Sequence, residues 1–428
     1  MSTLPRGLAQ WHDHFADRGP GPTAEAWLLR LAEIPADTQR AALVGLPDMR
    51  SLRRRFEAAW DYRELPLGGV PFLAKDLFHL AGTPTRAGTT FLADILETPQ
   101  HDSALLQLVQ YRAGAVCCGK TQLNELAFGL SGENPHVGNC PHPQDATRLS
   151  GGSSSGSAWA VGVGLVPFAL ATDTAGSIRV PATHCGVFGL RLPVGQHTAD
   201  IFPLAPSYDT AGWITGSAID LSLVSQELMG APTQTTGKGL WLGAGNVSIS
   251  PDVLRCQHHL ARTLGAEEDS PLANELNLAF AAAGDAYACL GSWEAAQVHA
   301  HWLNSHAEAL DPNVRTRLQA GADRTAEARE AAAAVQTKVR AALDACFQAG
   351  WNWIALPCTR GPAVRLGQHD HDERRALLQL NAPATLAWLG VIALPVPLGQ
   401  GLTAGIQLIA RDQATLQALA QLPKEAKI

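Results

Sequence analysis

The sequence predicts an α/β fold: one large domain whose central sheet is covered by helices on both faces. Between residue 66 and about residue 230, short apolar runs alternate with glycine loops and helical stretches. After an alanine-rich helical zone, strand-like runs return near the C-terminus. Because both ends supply strands, one continuous sheet with the helical zone inserted accounts for the chain better than two domains. The 428 residues are 46% hydrophobic and 17% charged, a composition that supports a packed core and excludes disordered or collagen-like sequence.

Residues 1–65 read as a helical N-terminal wrap. Ala24 to Leu31, Thr38 to Leu46 and Leu52 to Trp60 carry apolar residues at helical spacing, punctuated by Pro and Gly. Residues 66–428 form the α/β domain. Gly69 to Ala74, Gly114 to Gly119 and Leu165 to Thr172 are its first predicted strands, with helices over Ser103 to Arg112 and Ser155 to Val163. Residues 230–350 read as helical, Thr325 to Ala345 being the longest pattern. Trp353 to Pro357, Val391 to Pro395 and Gly405 to Ile409 are the final strands.

The formal charge of −7 offers no basic face, so nucleic acid is excluded as a partner. No run of 18 apolar residues exists; Ala158 to Ala171 carries glycines and Pro167 and reads as buried core, so no membrane association is expected. The start, Met1-Ser-Thr-Leu-Pro-Arg, does not read as a signal peptide. Eight cysteines without a C-x-x-C pair fit a reducing cytoplasm, the expected location. His369 and His371 are candidate metal ligands, but an exposed polar loop is the favoured reading; His258, His259, His299 and His301 read as helix surface. No metal and no cofactor are expected.

Three segments concentrate chemistry. Lys75, one of six lysines, sits in the apolar run Phe72-Leu-Ala-Lys-Asp-Leu-Phe. Burial disfavours an ammonium and turns a lysine into a base near neutral pH, although a lysine paired to Asp76 or reaching solvent is the plainer reading of this segment alone. Ser150-Gly151-Gly152-Ser153-Ser154-Ser155-Gly156 runs into the helical Ala158-Trp-Ala-Val; its glycines allow unusual backbone and its serines cap a helix. It lacks the Gly-Lys-Ser/Thr ending of a phosphate loop. In Thr172-Asp-Thr-Ala-Gly-Ser177-Ile-Arg-Val-Pro181 a strand ends in a turn of small residues that presents one serine beside successive N–H groups, a layout suited to a nucleophile with an oxyanion hole.

Together, in this order and spacing, the three segments resemble the amidase signature family of Ser–cis-Ser–Lys amidohydrolases, in particular its small-amide and allophanate-hydrolase branch. The resemblance extends through Gly119-Lys-Thr-Gln-Leu-Asn-Glu-Leu-Ala-Phe-Gly, Cys185-Gly-Val-Phe-Gly-Leu-Arg and Ala205-Pro-Ser-Tyr-Asp-Thr-Ala-Gly. It covers about residue 65 to 225 strongly and 310 to 420 loosely. It implies a mixed, mostly parallel sheet, with 230–350 the variable, substrate-side region. Ser177 is then the nucleophile that forms an acyl-enzyme, Ser153, after a cis peptide, relays protons, and neutral Lys75 is the base. The N–H groups of Thr174, Ala175, Gly176 and Ser177 would form the oxyanion hole, with Ser154, Asp173, Arg179, Gly151 and Gly152 supporting. Where the family commonly has Gly-Gly before the nucleophile, Ala175-Gly176 stands here.

The expected function is hydrolysis of a small amide or urea-derived compound, releasing ammonia or an amine. One alternative is the glutamine-cleaving amidase subunit of an aminoacyl-tRNA amidotransferase; another, of a different class, is a non-catalytic binding module on the same fold. Few aromatic residues lie in the core motifs, which disfavours a lipid amide. Arg315 and Arg317 are candidate readers of a substrate carboxylate, with surface-helix residues the favoured reading. The expected partners are a small-molecule amide and a second copy in a homodimer, with a small partner subunit as the other assembly considered.

Overall fold

Eleven strands form one mixed sheet in the order β1-β3-β2-β4-β6-β5-β10-β11-β9-β7-β8. The computed structural model describes residues 4–428. The strands are β1 (Leu43–Val44), β2 (Pro71–Lys75), β3 (Val116–Thr121), β4 (Phe168–Thr172), β5 (Phe188–Arg191), β6 (Ala211–Thr215), β7 (Gly239–Trp241), β8 (Ala266–Glu267), β9 (Trp353–Pro357), β10 (Val391–Gly399) and β11 (Leu402–Ala410). The single α/β sheet agrees with the sequence expectation. Its direction does not: β2–β3, β2–β4, β7–β8 and β7–β9 are parallel, whereas six pairings around them are antiparallel. Two of the antiparallel pairs, β5–β6 and β10–β11, are joined directly with no helix between them, which an antiparallel pair permits and a parallel pair does not.

The central strands are buried along their whole length because helices cover both faces, which is why they read as continuous apolar runs. On one side, the N-terminal helices and Ser155–Gly162 close a core around Trp11, Trp27, Phe72 and Phe168. Opposite, the helices Ala283–Val298, Pro312–Ala322, Ala326–Gln348 and His371–Leu386 build a second core containing Tyr287, Leu318, Val339 and Leu377. The turn after β4 lies between them: Ile178 and Ala182 pack into the first core, Ala175 and Val180 into the second.

Sequence reasoning missed β1, which adds an edge strand from within the N-terminal wrap, and β5 to β8. Strands β7 and β8 are three and two residues long and sit within or beside the zone read as helical. Periodicity has little to register in so short a run. The Ala326–Gln348 helix is capped by Thr325, whose hydroxyl accepts from the Ala328 N–H at 3.2 Å. Among the described residues, no helix is long and apolar enough to cross a membrane.

What positions the site is the parallel register of β2 and β4. Phe72 lies opposite Phe168, with their rings stacked at 5.2 Å between centroids, and Ala74 lies opposite Leu170. Two parallel strands in this register end side by side. Lys75, last in β2, therefore arrives beside Thr172, last in β4, and the chain beyond Thr172 becomes the small-residue turn.

Candidate active site

Lys75 is fully buried, and its Nζ donates to Ser153 Oγ at 2.7 Å and to Thr172 Oγ1 at 2.8 Å. Burial pushes its ammonium down to about 7, against the attraction of Asp173 and Asp209. Asp76 is not its partner. Successive side chains point to opposite sides, and Asp76 pairs with buried Lys120 and accepts from the Arg86 N–H at 3.0 Å. The reading of Lys75 as a solvent-reaching or Asp76-paired residue is thereby overturned.

Ser153 follows a cis peptide from Gly152. The loop holding it is clamped from several directions: Gly152 N–H donates to Leu130 O at 2.8 Å, Asn124 N–H to Ser153 O at 3.3 Å, and Ser154 N–H to Ser177 O at 3.1 Å. Ser154 Oγ donates to Thr172 O at 3.1 Å, tying the loop to the end of β4. Gly152 has no room for a side chain, since a Cβ would lie 2.0 Å from Asn124 Oδ1. Asn124, itself bonded to Gly132 N, Ser131 Oγ and Glu133 O, thus enforces glycine at this position. Ser153 and Ser177 are joined through Ser154 rather than by a bond between their hydroxyls; such contacts are often long without substrate and tighten on binding.

The turn bearing Ser177 is wound around the buried carboxylate of Asp173. Its oxygens accept from the N–H groups of Gly176 at 2.7 Å, Ile178 at 3.0 Å and Arg179 at 3.3 Å. The Arg179 guanidinium closes on it through Nη2 at 2.9 Å and Nε at 3.0 Å, and Arg191 approaches at 3.4 Å. These cations and N–H donors hold Asp173 far below the usual carboxylate range, despite its burial. Arg179 directs its other donors to Asn381 O, Gln407 Oε1 and Thr385 Oγ1, which anchors the turn to the His371–Leu386 helix and β11.

This arrangement corrects one sequence expectation. Gly176 N–H is engaged by Asp173 and is not free to hold an oxyanion. Among the described residues, the amides of Thr174, Ala175 and Ser177 have no internal acceptor, and all three residues line one small chamber. The left-handed φ, +124°, falls at Gly176, and Ala175 keeps an ordinary φ. Alanine at 175 therefore fits without strain. Thr174 is steadied by Asp209, which accepts from its hydroxyl at 2.7 Å and from the N–H groups of Leu204 and Ala205 at 2.9 and 3.1 Å. Burial raises the Asp209 carboxyl.

The chamber at Ser177, about 20 Å³, shares Phe128, Tyr287 and Arg374 with a larger cavity of about 400 Å³. The larger cavity is walled by Ala283–Val298, Pro312–Ala322 and the start of His371–Leu386. Arg317 lines it and donates to the Phe128 carbonyl, so the surface-helix reading fails for that residue. It holds for Arg315, which pairs with exposed Glu308 at 2.7 Å. The exposed-loop reading holds in part: His369 lies in a loop, half-buried, and His371 is exposed at the start of the His371–Leu386 helix, while both also line the cavity. Burial and the charges of Arg374 and Arg317 push His369 down to about 4, surroundings that repel a cation. His299 is buried against Phe202 rather than on the helix surface, and burial lowers it to about 4.

Sequence reasoning missed Thr172, Asn124, Asp209, Tyr287 and Arg374. Thr172, Asn124 and Asp209 lie within the segments that carry the family resemblance. Tyr287 and Arg374 lie on helices whose pattern gives no sign of the cavity.

A family model described as Amidase matches residues 25–239. Amidase 1 of Oryza sativa subsp. japonica is 30% identical over 388 residues, which span 82% of this chain and 88% of that one. A glutamyl-tRNA(Gln) amidotransferase subunit of Anaeromyxobacter sp. (strain K) is 29% identical over 442 residues, 90% of this chain and 86% of that one. A crystal structure of an amidase superimposes with a TM-score of 0.85 at 28% identity, covering 99% of this chain and 100% of its own. With a buried lysine, a glycine–serine loop and a serine turn meeting at the end of two parallel strands, and with likeness running nearly end to end, the chain belongs to the amidase family, hydrolases of amide C–N bonds.

Proposed function

We propose that the chain hydrolyses a small amide or urea-derived compound through an acyl-enzyme on Ser177. The observation that carries this reading is the fully buried Lys75 amine, 2.7 Å from Ser153 Oγ with only hydroxyl and carbonyl partners. An amine with an affinity for protons near 7 is half neutral at physiological pH and accepts a proton. Ser177 Oγ attacks the amide carbon while its proton passes to Ser153, whose own proton moves to Lys75. The tetrahedral oxyanion is held by the amides of Thr174, Ala175 and Ser177. The C–N bond then breaks, Lys75 returns the proton through Ser153 to the leaving nitrogen, and ammonia or an amine departs. Water, deprotonated along the same relay, cleaves the ester and restores Ser177.

Ammonia release from a panel of simple amides, allophanate, biuret derivatives and indoleacetamide tests this reading, together with labelling by a fluorophosphonate. Turnover on at least one substrate, and labelling that vanishes in Ser177→Ala, are expected. A folded chain that turns over none and takes no label would be the non-catalytic module instead. The likeness to an amidotransferase component favours a second reading, in which glutamine is cleaved for a partner. Activity on glutamine that appears only with a co-purifying second protein would select it.

A further inference from the structure

Arg374 borders both the Ser177 chamber and the larger cavity, and its side chain forms no hydrogen bond among the described residues; its Nε is shielded from solvent and unpartnered. The contrast is with Arg179, whose guanidinium gives every donor group to protein acceptors. A second arginine, Arg317, stands on the same wall with one bond to the Phe128 carbonyl, close enough that burial and its charge together bring Arg374 down to about 10. Arg324 completes three arginines on this cavity, facing the two carboxylates Glu133 and Asp370. Asp370 is turned to its own helix, accepting from Glu373 N–H at 2.9 Å, and Glu133 lies on the Arg317 side. His369 adds no charge near neutral pH. The wall thus holds a surplus cation with no protein acceptor; the residue is half-buried and its Nε is shielded from water, so a ligand that supplies an acceptor relieves an unmet donor there.

We infer that the substrate carries a carboxylate besides its scissile amide, and that Arg374, with Arg317 beside it, receives that carboxylate. A planar guanidinium with unfilled N–H groups matches the two oxygens of a carboxylate in a way no neutral group does. Because Arg374 borders the Ser177 chamber itself, the carboxylate and the amide carbon belong to one small molecule joined by a short linker. A cavity of about 400 Å³ suits a molecule of that size. The inference deepens the amidase reading and rests on Ser177 as nucleophile.

Kinetics on matched pairs test it: malonamate against propionamide, and succinamate against butyramide, each pair differing in a carboxylate for a methyl group. Wild type is expected to favour the acid of at least one pair tenfold or more in kcat/KM. In Arg374→Leu that preference falls at least tenfold, mainly through KM, and Arg374→Lys recovers part of it. A preference for the neutral amides, or an equal loss on both members of a pair in Arg374→Leu, would overturn it. Calorimetric titration with malonate and succinate gives a readout independent of turnover: binding to wild type, weakened at least tenfold in Arg374→Leu. If no amide is hydrolysed, this titration decides, and absence of binding to the folded wild type sinks the inference. Succinate binding through Arg374 without fluorophosphonate labelling of Ser177 would keep the anion site and remove the amidase reading. Labelling with a neutral preference would do the reverse.

Discussion

Two lysines stand on neighbouring strands, Lys75 at the end of β2 and Lys120 in β3, with Ala74 opposite Lys120 in the register. Both are wholly buried. Lys120 is paired with the carboxylate of Asp76 and reaches Thr85 Oγ1 at 3.1 Å. Lys75 meets only the hydroxyls of Ser153 and Thr172 and the more distant Thr172 carbonyl, at 3.5 Å. Burial alone therefore does not make a base. A carboxylate in contact favours the charged amine, whereas hydroxyls leave it able to lose its proton, and one residue's difference in strand position decides which lysine receives Asp76. Lys120 is placed to fasten β2 to β3, whereas Lys75 is free of any carboxylate contact, as the proposed relay requires.

Exchanging each lysine for methionine should separate these roles. Lys75→Met is expected to lower kcat/KM on the order of 10⁴-fold, about 5 kcal/mol, because both acylation and deacylation lose their base. Its thermal midpoint should not fall, since an uncharged side chain replaces one that is costly to bury. A variant that acylates at the wild-type rate would contradict the relay. Lys120→Met should do the opposite. It leaves the Asp76 carboxylate buried without its cation, a loss of about 4 kcal/mol in denaturant unfolding, much of it recovered when Asp76→Asn is added. If the double variant is no more stable than Lys120→Met, the pair is not what holds that edge of the sheet.

The pH dependence sharpens the contrast. With a neutral amine required, kcat/KM should rise with pH through about 7 and then level. Stability follows the same group. Between about 7 and the ordinary lysine value near 10.4, the unfolded chain carries a proton on Lys75 that the folded chain has shed. The unfolded state binds more protons there, so stability rises with pH across that window. The penalty for burying the lysine is largest below it. Unfolding curves of wild type and Lys75→Met should converge in this range as pH rises; parallel curves would mean that the folded lysine titrates as an ordinary one.

Lys75, Ser153 and Ser177 were legible as candidates only when their three segments are taken together in order; locally the backbone there accepts few residues, Gly152 under Asn124 and Gly176 at φ +124°. The single α/β sheet was legible too, from fully buried strands such as β2 and β4. What the sequence hid depends on partners far along the chain. Gly176 looks like an oxyanion donor until Asp173 is seen to take its N–H. Arg374 sits among the charges of Asp370-His-Asp-Glu-Arg-Arg and reads as surface, and only packing against the helix that carries Tyr287 turns it inward. The prevalence of antiparallel pairing follows from how β5, β6, β10 and β11 meet, and none of their own residues encodes the choice.

The smallest expected effect bears most directly on what tunes Lys75. Thr172→Val keeps the volume of the side chain and removes one of the two hydroxyls that accept from Nζ. Losing an acceptor weakens the charged form of the amine more than the neutral form, so the acid limb of kcat/KM should move to lower pH. The rate on the plateau should fall only several-fold, in line with one hydrogen bond worth about 1 kcal/mol. A limb that moves to higher pH, or does not move, would mean that the hydroxyls do not set the proton affinity of Lys75. The distant charges of Asp173 and Asp209 would then be the groups that govern it.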